Sequence, residues 1–124
     1  MDQSQQAAPD TIDLKQLLSV LNAYKKGDFT ARMPVDLAGV SGKIADTLDQ
    51  IIDMAEQTTV EYARVAKAVG RQGRIDQRID VVGARGGWAQ QNISSNSIIN
   101  DLVSPMSEMI HVIGAVSEGD LSQI

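Results

Sequence analysis

The sequence predicts an all-α protein assembled from a repeated helix–connector–helix unit, and three observations predict it. Short glycine motifs recur at one period: Gly27-Asp28-Phe29, Gly73-Arg74-Ile75 and Gly119-Asp120-Leu121 lie 46 residues apart. A period in the range of about 20–50 residues marks an array of one supersecondary unit. Between the glycines, apolar residues return at steps of three and four, which is helical spacing. Aromatic residues are 3% of the chain against 43% apolar residues. A core must therefore be made from Leu, Ile, Val, Ala and Met, which suits helix-on-helix packing.

Taken in order, residues 1–10 are Gln-rich, contain Ala-Ala-Pro and lack periodicity, and so read as a disordered N-terminal arm. Asp10, Thr11 or Asp13 can cap the helix that follows. That helix carries the stripe Leu14, Leu17, Leu21 and Tyr24 and ends at Gly27, since glycine enters the left-handed region at no steric cost. Residues 28–41 hold Pro34, Gly39 and scattered apolar residues, among them Phe29 and Met33, and read as a connector lying against a helix pair.

A seam then runs through Ile44, Leu48, Ile51, Ala55, Thr58, Tyr62, Val65 and Val69 in alternating steps of four and three. This is a coiled-coil heptad pattern. With no proline or glycine in 43–69, one continuous helix closes the first unit and opens the second. Inside it lies an offset. Counted back from the glycines, Leu17, Val20 and Tyr24 correspond to Ala63, Ala66 and Gly70, while the larger Tyr62, Val65 and Val69 stand one position earlier. One residue is about 100° of helix rotation, so the middle unit is expected to favour a different rotation, or to tolerate two.

Gly73 to Gly87 repeats the connector, with Ile75 and Ile79 in the places of Phe29 and Met33. Trp88 opens a helix whose seam is Asn92, Ser95, Ile99, Leu102, Met106, Met109, Ile113 and Val116. Pro105 lies within it and predicts a kink or a helix restart. The expected organisation is a first unit over 11–58, a second over 59–104, and over 105–124 the first helix and opening connector of a third.

Composition excludes several classes of function. A net charge of −5 gives no Lys/Arg face for phosphates, so nucleic acid is not an expected partner. Absence of cysteine removes disulfides and thiolate chemistry. No apolar run reaches 18 residues, so membrane insertion is not expected, and the polar N-terminus does not read as a secretion signal, making the cytoplasm the default location. His111, the only histidine, is followed by Val112-Ile113-Gly114 and reads as a solvated or boundary helix position. Gly83-Ala84-Arg85-Gly86-Gly87 lacks the Lys-Ser/Thr that completes a phosphate loop. Asp28 and Asp120 belong to separate repeats and make no acid–base pair. No catalytic, metal or cofactor site is expected, and none of the 124 residues is read as enzymatic.

The stripes nevertheless require a partner. A connector of about 14 residues can run back along a helix of 10–14 residues, which makes the two helices of one unit parallel. A single chain then offers two helices per layer, too few to enclose a core. Two chains give homodimeric, parallel four-helix coiled-coil bundles stacked in tandem.

This pattern resembles HAMP domains, the relay modules of histidine kinases, adenylate cyclases and chemoreceptors. Gly27, Asp28, Phe29 and Met33 match the family's helix-ending motif and connector, as do Gly73, Ile75 and Ile79 with Arg74 in place of the acid, and Gly119, Asp120 and Leu121. Pro105, fourteen residues before Gly119, stands where the family often places proline. The acid that commonly opens the family's second helix is replaced by Val40-Ser41-Gly42 and Gly86-Gly87-Trp88. Tandem units with a Gly-Trp opening look like the poly-HAMP arrays of soluble hybrid histidine kinases. The resemblance implies that Phe29, Met33, Ile75 and Ile79 anchor the connectors. It also implies a signal relay, biasing a downstream output domain in the same chain, most naturally a histidine kinase, through a bistable bundle. The alternatives are a passive dimerisation or spacer coiled coil, and a chemoreceptor signalling segment.

Overall fold

A computed structural model describes residues 11–117. Among these residues there are three helices: α1 (Leu14–Lys25), α2 (Gly39–Gly70) and α3 (Gly87–Ser117). Among the described residues there is no strand, so the chain is all-α. The arm over 1–10, and Gly119, Asp120 and Leu121 of the third repeat, lie outside the described residues.

Of the three candidate caps, Asp13 takes the role. Its carboxylate accepts the backbone N–H of Lys15 at 2.9 Å and of Gln16 at 3.5 Å, satisfying donors that the first turn leaves free. At the other end Gly27 stands at φ +89° and Gly73, after α2, at φ +69°. Both values fall in the left-handed region where a Cβ is penalised. α2 begins at Gly39, two residues before the end of the predicted connector, and α3 at Gly87.

The chain forms two compact units, Met1–Val60 and Glu61–Ile124, and α2 contributes to both. In the first unit, Val20, Met33, Ala45 and Ile52 form a buried cluster, flanked by Leu17, Tyr24, Phe29 and Leu48 among others. The Tyr24 and Phe29 rings lie 5.6 Å apart, which seats the start of the connector on the end of α1. Moving along the connector, Arg32 bonds Asp53 and Glu56, Met33 bonds Asp49, and Leu37 lies against Gly42. The connector therefore descends α2 from its middle toward its N-terminus. Because it starts at the C-terminal end of α1, α1 and the first half of α2 run in the same direction. The second unit repeats the plan: Arg78 bonds Asn100 and Ile79 bonds Asn96.

The offset in α2 has a local cause. Val65 is buried to 2% exposure while Ala66 is exposed, so Val65, not Ala66, takes the place that Val20 has in the first unit. After α1, the N–H of Asp28 reaches the carbonyl of Ala23; after α2, the N–H of Arg74 reaches that of Ala68. Ala23 precedes its glycine by four residues and Ala68 by five. One additional residue in the turn restores the rotation that glycine counting had put out of step. The expectation of a different rotation in the middle helix is corrected accordingly.

Of the two outcomes expected at Pro105, a kink or a helix restart, the second does not occur. α3 runs unbroken from Gly87 to Ser117 with Pro105 inside it, so there is no helix restart. The proline has no N–H for the carbonyl of Asp101, so the helix carries one missing backbone bond there.

Candidate functional site

Each unit carries the same two features: a connector latch and an open apolar groove.

The latch is built around the connector arginine. In the first unit, Arg32 donates through Nη1 to the carbonyls of Phe29 and Ala31 at 2.7 and 2.9 Å, holding its own loop in a tight curve. Its Nη2 donates to Asp53 at 2.7 Å and Glu56 at 3.1 Å on α2. Next to it, the N–H of Met33 donates to Asp49 Oδ1 at 2.7 Å. Met33 is 3% exposed, so this N–H would otherwise be buried without an acceptor. In the second unit, Arg78 donates through Nη1 to the carbonyls of Ile75 and Gln77 and through Nε to Asn100. The N–H of Ile79 donates to Asn96 Oδ1 at 2.7 Å, and the Asn96 amide donates back to the Ile79 carbonyl at 2.9 Å.

The connector of the second unit has a further hold. Arg64 on α2 makes a two-pronged contact with Glu61 and reaches Gln77, while Glu61 accepts the N–H of Asp80 at 2.7 Å. The hydrogen bond from Arg64, first, and then that from Asp80, keep the Glu61 carboxyl below the ordinary carboxylate range against the opposing effect of burial. Asp28 is also lowered, by the Thr30 hydroxyl and N–H that it caps.

The groove of the first unit, ≈ 370 Å³, is lined by Leu17, Leu21, Ile44, Leu48 and Ile51 with Lys43 and Thr47. That of the second, ≈ 360 Å³, is lined by Tyr62, Val65, Ala66, Val69, Gly70, Ile79, Ser95, Ile98 and Ile99. Aligned on the buried valines and on the latch, Leu17 corresponds to Tyr62, Leu21 to Ala66, Leu48 to Ser95 and Ile51 to Ile98. Tyr62 hydrogen-bonds Ser95 at 2.6 Å, so the second groove carries a polar pair where the first has two leucines.

The predicted seam residues divide between these grooves and the unit cores. Ala55 and Val65 are already buried within their units, Tyr24 is half-buried, and Leu21, Ile44 and Ile51 stand open on the groove. Along α3, Leu102, Met106, Met109, Ile113 and Val116 are all exposed. The anchors Met33 and Ile79 are buried, and Phe29 and Ile75 half-buried. His111 is exposed. Among the described residues no group of acids and histidine could hold a metal, and no helix is long and apolar enough to cross a membrane.

Sequence reasoning passed over Arg32, Asp49, Asp53, Arg78, Asn96 and Asn100. A signal was available: Arg32 and Arg78 keep the 46-residue period exactly one residue before each anchor. The helix partners keep a period of 47, because Asn96 follows Ile79 by 17 residues where Asp49 follows Met33 by 16, and that hides them from a fixed-period search.

No protein-family profile matches this chain, and no solved structure matches it.

Proposed function

We propose that the chain is a signal-relay module: a tandem HAMP array that works as a parallel homodimer, each unit supplying half of a four-helix bundle. The observation that carries this reading is the groove repeated at equivalent positions in both units. Leu21, Ile44 and Ile51 are each more than 40% exposed along a heptad seam. Burial of apolar area is worth about 25 cal/mol per Å², so a seam of this kind favours a second copy. In a parallel two-fold pair each groove residue lies level with its own counterpart across the axis.

In this reading the module has no catalytic group of its own. It passes a packing bias to an output domain in the same protein, most naturally a histidine kinase. The two units differ in groove chemistry, Leu17 and Leu48 against Tyr62 and Ser95, so their bundles would differ in cohesion. A relay uses that difference, since a strong bundle can impose its packing on a weak one. A passive spacer would need no such contrast. The cytoplasmic setting of such arrays is part of the proposal.

Sedimentation equilibrium tests the first step. A dimer at micromolar concentration is the expected result; a monomer at hundreds of micromolar would overturn the reading.

A further inference from the structure

The two latches share one geometry and differ in charge. Along α2, Asp46, Asp49, Asp53 and Glu56 follow one another at steps of three, four and three, forming a single acidic stripe. Three of its four members hold the connector: Asp49 takes the Met33 N–H, and Asp53 and Glu56 take Arg32. The corresponding stripe on α3 is Ile93, Asn96, Asn100 and Val103, in which the two residues that hold the connector are amides.

Like charges three and four residues apart on a helix repel one another. In the first unit that repulsion is relieved by Arg32, the one cation in an ion pair with the stripe among the described residues. Lys43 stands a turn before Asp46 at the head of the stripe, and besides Arg32 the charged groups on the connector are Asp28 and Asp36. The corresponding stripe of the second unit is neutral, and among the described residues the charged hold on its connector is the Arg64–Glu61 pair, whose carboxylate takes the Asp80 N–H. Arg78 meets an amide oxygen, and Asn96 closes a two-way amide pair with Ile79.

We propose that the first connector is a charge-held latch that ions loosen, and that the anchor of the second, held by an amide, is loosened less by them. Screening weakens interactions between exposed charges steeply, the Debye length falling from about 10 Å at 0.1 M salt to about 3 Å at 1 M. The side chains of Arg32, Asp53 and Glu56 are 28%, 52% and 43% exposed, within reach of that screening. Loosening Arg32 frees the carbonyls of Phe29 and Ala31 together with the loop that carries Met33, which lies in the core between α1 and α2. Rising ionic strength therefore acts more strongly on the anchor of the first unit than on that of the second. The inference concerns each unit by itself and stands apart from the relay reading.

Amide hydrogen exchange, followed by NMR on the whole chain, tests it with an internal control. The N–H groups of Met33 and Ile79 have equivalent bonds at the same 2.7 Å, so their protection ratio cancels general salt effects. Between about 0.1 and 1 M sodium chloride, Met33 is expected to lose protection at least about three-fold relative to Ile79. An unchanged ratio overturns the proposal, as does an equal loss at both sites. The triple variant Asp49→Asn, Asp53→Asn, Glu56→Val gives the residues that hold the first connector the chemistry of the second. It is expected to keep Met33 protected and to abolish the salt dependence, and persistence of the dependence in that variant would also refute the charge-held latch.

Discussion

The backbone N–H of Met33 donates to the Asp49 carboxylate at 2.7 Å, tying the middle of a connector to the middle of a helix. Met33 is buried, so this bond satisfies a donor that has no water to turn to. Leaving a buried donor without an acceptor costs about 1–3 kcal/mol. Asp49→Ala is therefore expected to lower unfolding stability by about that amount. Asp49→Asn is expected to cost far less, since Asn96 fills the same role in the second unit. Urea unfolding of both variants checks this, and equal losses would show that the bond itself is not what Asp49 contributes.

Two glycines are needed for opposite reasons, and substitution separates them. Gly27 stands at φ +89° with nothing within 4 Å of where a Cβ would sit, so Gly27→Ala meets only backbone strain, about 1–2 kcal/mol. Gly42 lies within α2, but a Cβ there would come within 2.6 Å of the Leu37 carbonyl oxygen. That neighbour is backbone and cannot swing aside, so Gly42→Ala must push the connector off the helix. Overpacking of this kind costs about 1–3 kcal/mol, opposed by the roughly 1 kcal/mol by which alanine favours a helix over glycine. The distinguishing result is in amide exchange: Gly42→Ala is expected to expose the Met33 N–H, and Gly27→Ala to leave it protected.

Much of the fold was legible in the sequence, and the parts that were not have identifiable causes. α1 and the long α2 follow from apolar periodicity and from glycines at helix ends, because helix rotation and the left-handed turn are local properties of the chain. The rotation of the middle helix was misread because glycine counting assumes turns of equal length, and the turn before Gly73 holds an additional residue. The latch was missed because its partners, Asp49 for Met33 and Asn96 for Ile79, are distant in sequence and differ in chemistry. Only their place against the connector makes them equivalent. Pro105 predicts a kink or a helix restart, and of the two the restart does not occur: α3 continues through it, since one missing backbone bond does not outweigh the bonds on either side.

Glu61 gives the second unit a pH dependence of defined sign. Its carboxyl is held below 4.5, first by the Arg64 hydrogen bond and then by the Asp80 N–H. A lowered carboxylate pKa stabilises the folded state fully above the unfolded value, near 4.5, and that contribution is lost as pH falls through the folded value. The wild-type chain is therefore expected to lose stability on acidification below about pH 4.5 more steeply than Glu61→Gln. Thermal unfolding across pH 3–6 measures the difference, and parallel curves would contradict the assigned role.

Val65 and Ala66 are neighbours with different duties. Val65 is 2% exposed in the core of its unit, so Val65→Ala is expected to destabilise by about 1–2 kcal/mol at about 0.8 kcal/mol per buried methylene. Ala66 is exposed on the groove at the position of Leu21, so Ala66→Leu adds apolar surface to the proposed seam without disturbing the unit. Its expected effect is tighter self-association. An Ala66→Leu chain that unfolds more easily at every concentration would place that residue in the core instead.

In the proposed dimer the two grooves face their own copies across a two-fold axis, and disulfide crosslinking measures that most directly, because the chain contains no cysteine. Leu21→Cys and Ile51→Cys place a thiol in the groove of the first unit, and Lys25→Cys, beyond the groove lining, is the control. Rapid crosslinking at both groove positions with little at Lys25 is the predicted result. Equal crosslinking at all three, or none in the groove, would contradict the parallel dimer and the relay built on it.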